Sequence, residues 1–101
     1  MIVSVHEKTL NLALTGEIDH HAAQKVIQEI GQAVDTYLPG RCVLDMSGVS
    51  FMDSSGIAVI LGTFRRLREI GGEMEVIHVP RQASRVLCAA GVDRIVPLRR
   101  A

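Results

Sequence analysis

Stretches of two-residue periodicity alternate with stretches of helical periodicity along this chain of 101 residues, in the order β-β-α-β-α-β-α-β. Met1 to Val5 and Thr9 to Thr15 are short β-type runs separated by His6-Glu7-Lys8. Leu10, Leu12 and Leu14 fall on one face by strict alternation, the pattern of a hairpin with one side on the core. Asp19 is a good N-cap for a helix whose apolar residues Ala22, Ala23, Val26, Ile27, Ile30, Ala33, Val34 and Tyr37 recur at helical spacing. Pro39-Gly40 cannot continue that helix. Cys42 to Met46, apolar except for Asp45, reads as a central strand. A loop, Ser47 to Asp53, leads to a second helix carrying Ile57, Ile60, Leu61, Phe64, Leu67 and Ile70, which Gly71-Gly72 stops. Met74 to Val79 is a buried strand, and Pro80 opens a third helix with Ala83, Val86, Leu87 and Ala90 inward. Gly91 ends it, and Ile95 to Leu98 is a last short strand.

Strands joined through helical crossovers run parallel, because the chain must return to the same end of the sheet before each new strand. The predicted fold is therefore α/β: a mostly parallel sheet of about five strands with an antiparallel N-terminal edge strand and helices packed against it. No Pro/Gly/Ser-rich linker or repeat divides residues 1–101, so a single domain with one core is expected. The composition is 48% hydrophobic but only 3% aromatic, which leaves Val, Ile, Leu, Ala and Met to fill strands buried on both faces. In such sheets functional loops gather beyond the carboxyl ends of the parallel strands. Here those are Gly16 to His20, Ser47 to Ser55 and Val79 to Arg81.

Eleven basic residues balance eleven acidic ones, so no overall field draws in nucleic acid or an anionic membrane, and direct binding of either is not expected. Arg99-Arg100 reads as ordinary solvated surface. Cys42 and Cys88 lie in apolar stretches without CxxC spacing and behave as small hydrophobes suited to a reducing cytosol. No apolar run approaches the roughly 20 residues of a membrane span, and Met1 to His6 alternates instead of forming a signal-peptide core. A soluble, cytoplasmic, monomeric protein is expected.

Ser50-Phe51-Met52-Asp53-Ser54-Ser55-Gly56 carries the most chemistry, placing two hydroxyls and a carboxylate at the start of a well-formed helix. Glu17 and Asp19 lay a second acidic start at the same end of the sheet. Free N–H groups and a partial positive charge at a helix start accommodate a phosphate without refolding. A phosphoserine adds roughly −1.5 to −2 charges there and repels a partner seated on that surface. Asp-Ser-Ser before a helix is equally what plain N-capping looks like, and the residues alone do not separate Ser54 from Ser55.

Other chemistries fit less well. Ser54 or Ser55 with His78 is the one candidate for nucleophilic catalysis, and no GxSxG elbow accompanies it, so no catalytic residue is assigned. Asp19, His20 and His21 are adjacent and point about 100° apart on a helix, so no metal site is assigned. Asp45 and Asp53 flank the central strand as in a receiver domain, yet Lys25 is the last lysine and the late lysine such a domain needs is missing. Neither GxGxxG nor a Walker sequence occurs, and no cofactor is expected.

Three blocks in register carry a resemblance: Thr15-Gly16-Glu17-Ile18-Asp19-His20-His21, Leu44 through Ile57, and Ile70-Gly71-Gly72-Glu73-Met74. Together they resemble the STAS-type anti-sigma-factor antagonists, the sporulation anti-sigma-F branch of endospore-forming bacteria above all. The resemblance implies that the unphosphorylated protein binds a GHKL-type anti-sigma factor that is also a serine kinase, with ADP or ATP on the kinase, and so frees a sporulation sigma factor. It implies further that the kinase phosphorylates the serine after the motif's aspartate, here Ser54, and that a PP2C-type phosphatase restores it. Partner-binding residues carried over are Asp19, His20, Met52, Asp53, Ser54, Ser55 and Gly56, with Asp19 suited to an arginine on the kinase and Met52 to an adaptable apolar contact; for Met52 and Gly56 plain core or turn packing is the equal alternative. The general-stress branch of the same fold is the alternative, and a STAS scaffold or transporter appendage a third reading. Members of the family usually continue into a C-terminal helix, whereas this sequence stops at Ala101, soon after Leu98, which leaves open how the outer sheet face is covered.

Overall fold

The computed structural model describes residues 1–101. Eight elements follow one another: β1 Ile2–His6, β2 Thr9–Ile18, α1 His20–Tyr37, β3 Arg41–Met52, α2 Ser55–Glu69, β4 Glu73–Val79, α3 Arg81–Ala89 and β5 Leu98–Arg100. A 3-10 turn at Val92–Arg94 separates α3 from β5. The strands form one sheet in the order β1-β2-β3-β4-β5; β1 is antiparallel to β2 and every other pair is parallel. The hairpin turns at Glu7 and Lys8, both with positive φ, as a two-residue hairpin matched to strand twist requires.

Register shows which face is covered. Leu10, Cys42 and Met74 align across β2, β3 and β4, as do Leu12, Leu44 and Val76, and all six are at most 5% exposed. On the opposite face the aligned rows Asn11, Val43, Glu75 and Ala13, Asp45, Ile77 are only half-buried. The expectation of strands buried on both faces is thus corrected: consecutive right-handed crossovers put the helices on one side and leave the other partly open.

α1 buries Ala23, Ile30, Ala33 and Val34, while Ile27 and Tyr37 stay exposed at the margin of its apolar stripe. It ends at Leu38, which adopts the left-handed conformation and returns its N–H to Val34 C=O at 2.8 Å. α2 buries Val59, Ile60, Thr63 and Leu67; the Thr63 hydroxyl is satisfied by Val59 C=O at 2.7 Å. Its end is a Schellman cap: Gly72 N–H reaches Leu67 C=O at 2.7 Å and Gly71 N–H reaches Arg68 C=O at 3.1 Å, with Gly71 at φ +75, where a side chain would be strained.

Several predicted boundaries are corrected. β2 continues past Thr15 to Ile18, and β3 past Met46 to Met52, so Ser47 to Asp53 is mostly strand. Two register shifts, between Ala13 and Thr15 and between Gly16 and Glu17, let the strands stay paired although simple alternation fails there. Pro80 is the extended cap before α3, whose inner residues are Ala83, Ser84 and Leu87; Ala90 is exposed. The last strand is Leu98–Arg100, because Ile95 closes the 3-10 turn. Cys42 is sealed in the core, where burial pushes its thiol up to about 12, whereas Cys88 is exposed and not the small core hydrophobe expected.

Candidate functional site

Two helices start side by side where β2 and β3 end, since Ile18 pairs with Met52. Their starts are built differently. At α1, Asp19 has extended backbone geometry and its Oδ1 accepts the Ala22 N–H at 2.9 Å, an ordinary N-cap. His20 and His21 follow, both exposed.

At α2 the capping role falls one residue before the helix boundary. Asp53 Oδ1 accepts the Ser55 N–H at 2.7 Å, and Asp53 C=O accepts the Gly56 N–H at 3.0 Å. Ser54 already has helical backbone angles, φ −62 and ψ −17, and its hydroxyl makes no capping hydrogen bond. Ser54 is exposed and Ser55 half-buried. The two hydroxyls that sequence left equivalent therefore differ in access, with Ser54 the more open.

Asp53 is held from the other side by its own N–H, which donates to Ile18 C=O at 3.2 Å and ties the α2 start to the α1 start. Met52 and Gly56 face inward. Met52 is 0% exposed, and a Cβ on Gly56 would stand 2.4 Å from Met52 Cγ and Sδ, so glycine is what lets α2 settle on that side chain. Of the two roles open to Met52 and Gly56, partner contact and core packing, the structure shows packing, and the partner contact expected of each is corrected on this point. Phe51, 43% exposed, presents the open apolar side chain instead. Sequence reasoning misses Phe51 because Ser47 to Asp53 reads as a loop: the two-residue alternation that marks the strand breaks at the register shifts before reaching it.

His78 does not join the serines. Its Nδ1 lies 3.1 Å from Asp45 Oδ1, and its backbone is left-handed at φ 54. The Ser47 N–H, at 2.9 Å, holds the Asp45 carboxyl below the usual aspartate range; His78 adds to this, against an upward push from partial burial. No hydrogen bond links His78 to Ser54 or Ser55, so the histidine is not placed as a base for either hydroxyl. Asp19, His20 and His21 form no metal-sized cluster, and no other group of three such ligands does. No helix is long and apolar enough to cross a membrane. What the arrangement offers is a surface: an exposed hydroxyl at a helix mouth, a carboxylate at each of the two neighbouring helix starts and an exposed ring on the strand leading in.

Residues 1–101 match the family described as the STAS domain. The anti-sigma F factor antagonist of Paenibacillus polymyxa is 36% identical over 93 residues, covering 92% of this chain and 80% of that protein. The anti-sigma-B factor antagonist of Bacillus subtilis is 27% identical over 100 residues, covering 95% and 86%. Among solved structures, the Bacillus cell fate determinant SpoIIAA is similar in its phosphorylated form, with a TM-score of 0.73, 26% identity and coverage of 96% and 88%. SpoIIAA in its unphosphorylated form has the same fold, with a TM-score of 0.82 at 24% identity and coverage of 96% and 85%. A sheet of this order, a match over the whole length and a relative of this identity together show that the chain belongs to the STAS domain family and, within it, to the anti-sigma factor antagonists.

Proposed function

We propose that the chain is a phosphorylation-controlled partner switch. Unphosphorylated, it docks through the Asp19–His20 and Phe51–Ser55 surface on a GHKL-type anti-sigma factor that is also a serine kinase, carrying ADP or ATP. Docking releases the sporulation sigma factor that the kinase holds. Phosphate on Ser54 ends the interaction, and a PP2C-type phosphatase restores it. The chain acts by binding and not by catalysis, as a monomer in the cytoplasm.

The observation that carries this reading is the free, exposed Ser54 hydroxyl at the first turn of α2, left uncommitted because Asp53 does the capping. A dianion at that position meets helix N–H groups and stays compatible with the fold. It also places about −1.5 to −2 charges beside Asp53 and at the helix start next to that of Asp19, on the surface where a partner would sit. A hundredfold loss of affinity needs only about 2.7 kcal/mol, within reach of a dianion desolvated in a contact. The names of the relatives, and the capture of SpoIIAA in a phosphorylated form, support the same reading.

Intact-mass measurement of the protein before and after incubation with the anti-sigma kinase of its own organism and ATP tests it. One added phosphoryl group is expected on the parent and none on Ser54→Ala, which stays folded and still binds the kinase with ADP. Equal labelling of Ser54→Ala moves the acceptor to Ser55 or removes the reading. The general-stress alternative draws on the Bacillus subtilis relative, which aligns over more of both chains. Docking on a general-stress kinase in preference to a sporulation kinase would decide for it.

A further inference from the structure

β3 is longer than its neighbour on the β4 side. The β3–β4 ladder runs from Arg41 opposite Glu73 to Asp45 opposite Ile77, after which β3 continues for seven residues to Met52. On the β2 side that extension stays paired through Phe51 and Met52, opposite Glu17 and Ile18. On the β4 side no strand accompanies it, because β4 reaches the left-handed His78 and then turns into α3.

Gln82, in the first turn of α3, fills this gap at one point. Its Oε1 accepts the Met52 N–H at 2.8 Å, and its Nε2 donates to the Met52 C=O at 2.7 Å. A primary carboxamide offers one acceptor and two donors in a plane, so it can stand where the peptide group of a neighbouring strand would stand. Met52 is completely buried with Gln82 in place, and the exposed Gln82 side chain supplies the partner of both its N–H and its C=O on this side. Two residues later comes Ser54, with Asp53 fixed between them by Ile18 C=O and by its own bond to Ser55.

We propose that Gln82 is the positioning residue for the acceptor turn: its side-chain clamp on Met52 holds Met52–Ser54 in the conformation that docks. This deepens the reading of Ser54 as the phosphoacceptor and rests on it. A turn already ordered in the free protein spares the complex the entropy of ordering it on docking. Loss of the clamp should therefore weaken the encounter with the kinase and leave the phosphoryl-transfer step, once docked, unchanged.

The test compares the parent with Gln82→Ala and Gln82→Glu in steady-state phosphorylation by the anti-sigma kinase with ATP, alongside amide hydrogen exchange at Met52, Asp53 and Ser54 in the free proteins. All are measured well below the melting temperature of the least stable variant. Gln82→Ala is expected to raise KM about tenfold, equivalent to about 1.4 kcal/mol, with kcat unchanged, and to speed exchange at all three amides. Gln82→Glu keeps an acceptor for the Met52 N–H but has no donor for the C=O, so its KM should lie between those of the other two. A parent that is phosphorylated on Ser54 while both variants match it in KM and exchange overturns the clamp and leaves the switch standing. A fall in kcat at constant KM also overturns it. A parent that takes no phosphate overturns the switch, and with it the role given to Gln82.

Discussion

The two ends of β3 are built on different principles. At its start, Arg41 to Asp45 pair on both sides in unbroken register, and Glu75 on β4 is gripped by Arg41 and by Arg99 of β5. At its end, Gly48 to Met52 pair with β2 alone, through shifted register, and the remaining contacts come from single side chains: Gln82 on Met52, Asp53 on Ser55 and, next door, Asp19 on Ala22. A ladder distributes its strength over many peptide groups, whereas side-chain clamps concentrate it in a few. The difference explains how one hydroxyl, Ser54, is left uncommitted at an otherwise ordered turn, and why that end can be altered by one substitution or one modification.

The contrast can be broken most decisively at Ser54. Phosphorylated protein should bind the ADP-loaded kinase about a hundredfold more weakly than the unphosphorylated form by titration calorimetry, a loss of about 2.7 kcal/mol. Ser54→Asp should move in the same direction by less, and Glu75→Gln, at the other end of the sheet, should leave docking unchanged. Equal affinities for the two forms would remove charge repulsion as the mechanism.

A smaller effect belongs to the packing beneath the turn. Gly56→Ala sets a methyl against the sealed Met52 side chain and should cost about 1–3 kcal/mol in urea denaturation. Gly62→Ala, in open space on the same helix, should instead stabilise by up to about 1 kcal/mol. The two helix starts can then be separated by their caps. Asp19→Ala should lose about 1 kcal/mol, while Ser54→Ala, which removes no capping bond, should stay within about 0.5 kcal/mol of the parent.

The smallest effect is at the laddered end and depends on pH. Hydrogen bonds from Arg99 and then Arg41 hold the Glu75 carboxyl below its ordinary value of 4.5. A depressed folded value means stability that is present above 4.5 and lost as pH falls through the folded value. The melting temperature of the parent should therefore exceed that of Glu75→Gln by a constant margin from neutral pH down to about 4.5, and the margin should close at lower pH. A margin that widens on acidification would contradict this assignment of the ion pairs.

Regular patterning made much of the fold legible. The alternation of Leu10, Leu12 and Leu14, the 3.6-residue spacing through α2 and the Gly71-Gly72 stop are local signals, and each corresponds to an observed element. The extension of β3 was not legible, because at a register shift the buried residues Val49 and Met52 stand three apart and mimic neither periodicity. The open outer face was also hidden: Val43 and Ile77 are apolar whether or not anything covers them. At the site, Asp53-Ser54-Ser55 announced a helix start, but which of the three would cap depended on where the helix boundary falls. Gln82 gave no signal at all, since its partner is a peptide group 30 residues earlier in the chain.

β1 to β5 stand in the sheet in the order of their synthesis. Every ladder joins chain neighbours, so each pairing closes only the hairpin turn or a single helical crossover, which keeps the entropy of closure low. Gln82 reaches back 30 residues to Met52, so the clamp on the turn before Ser54 closes a longer loop than the hairpin does and costs more entropy to make.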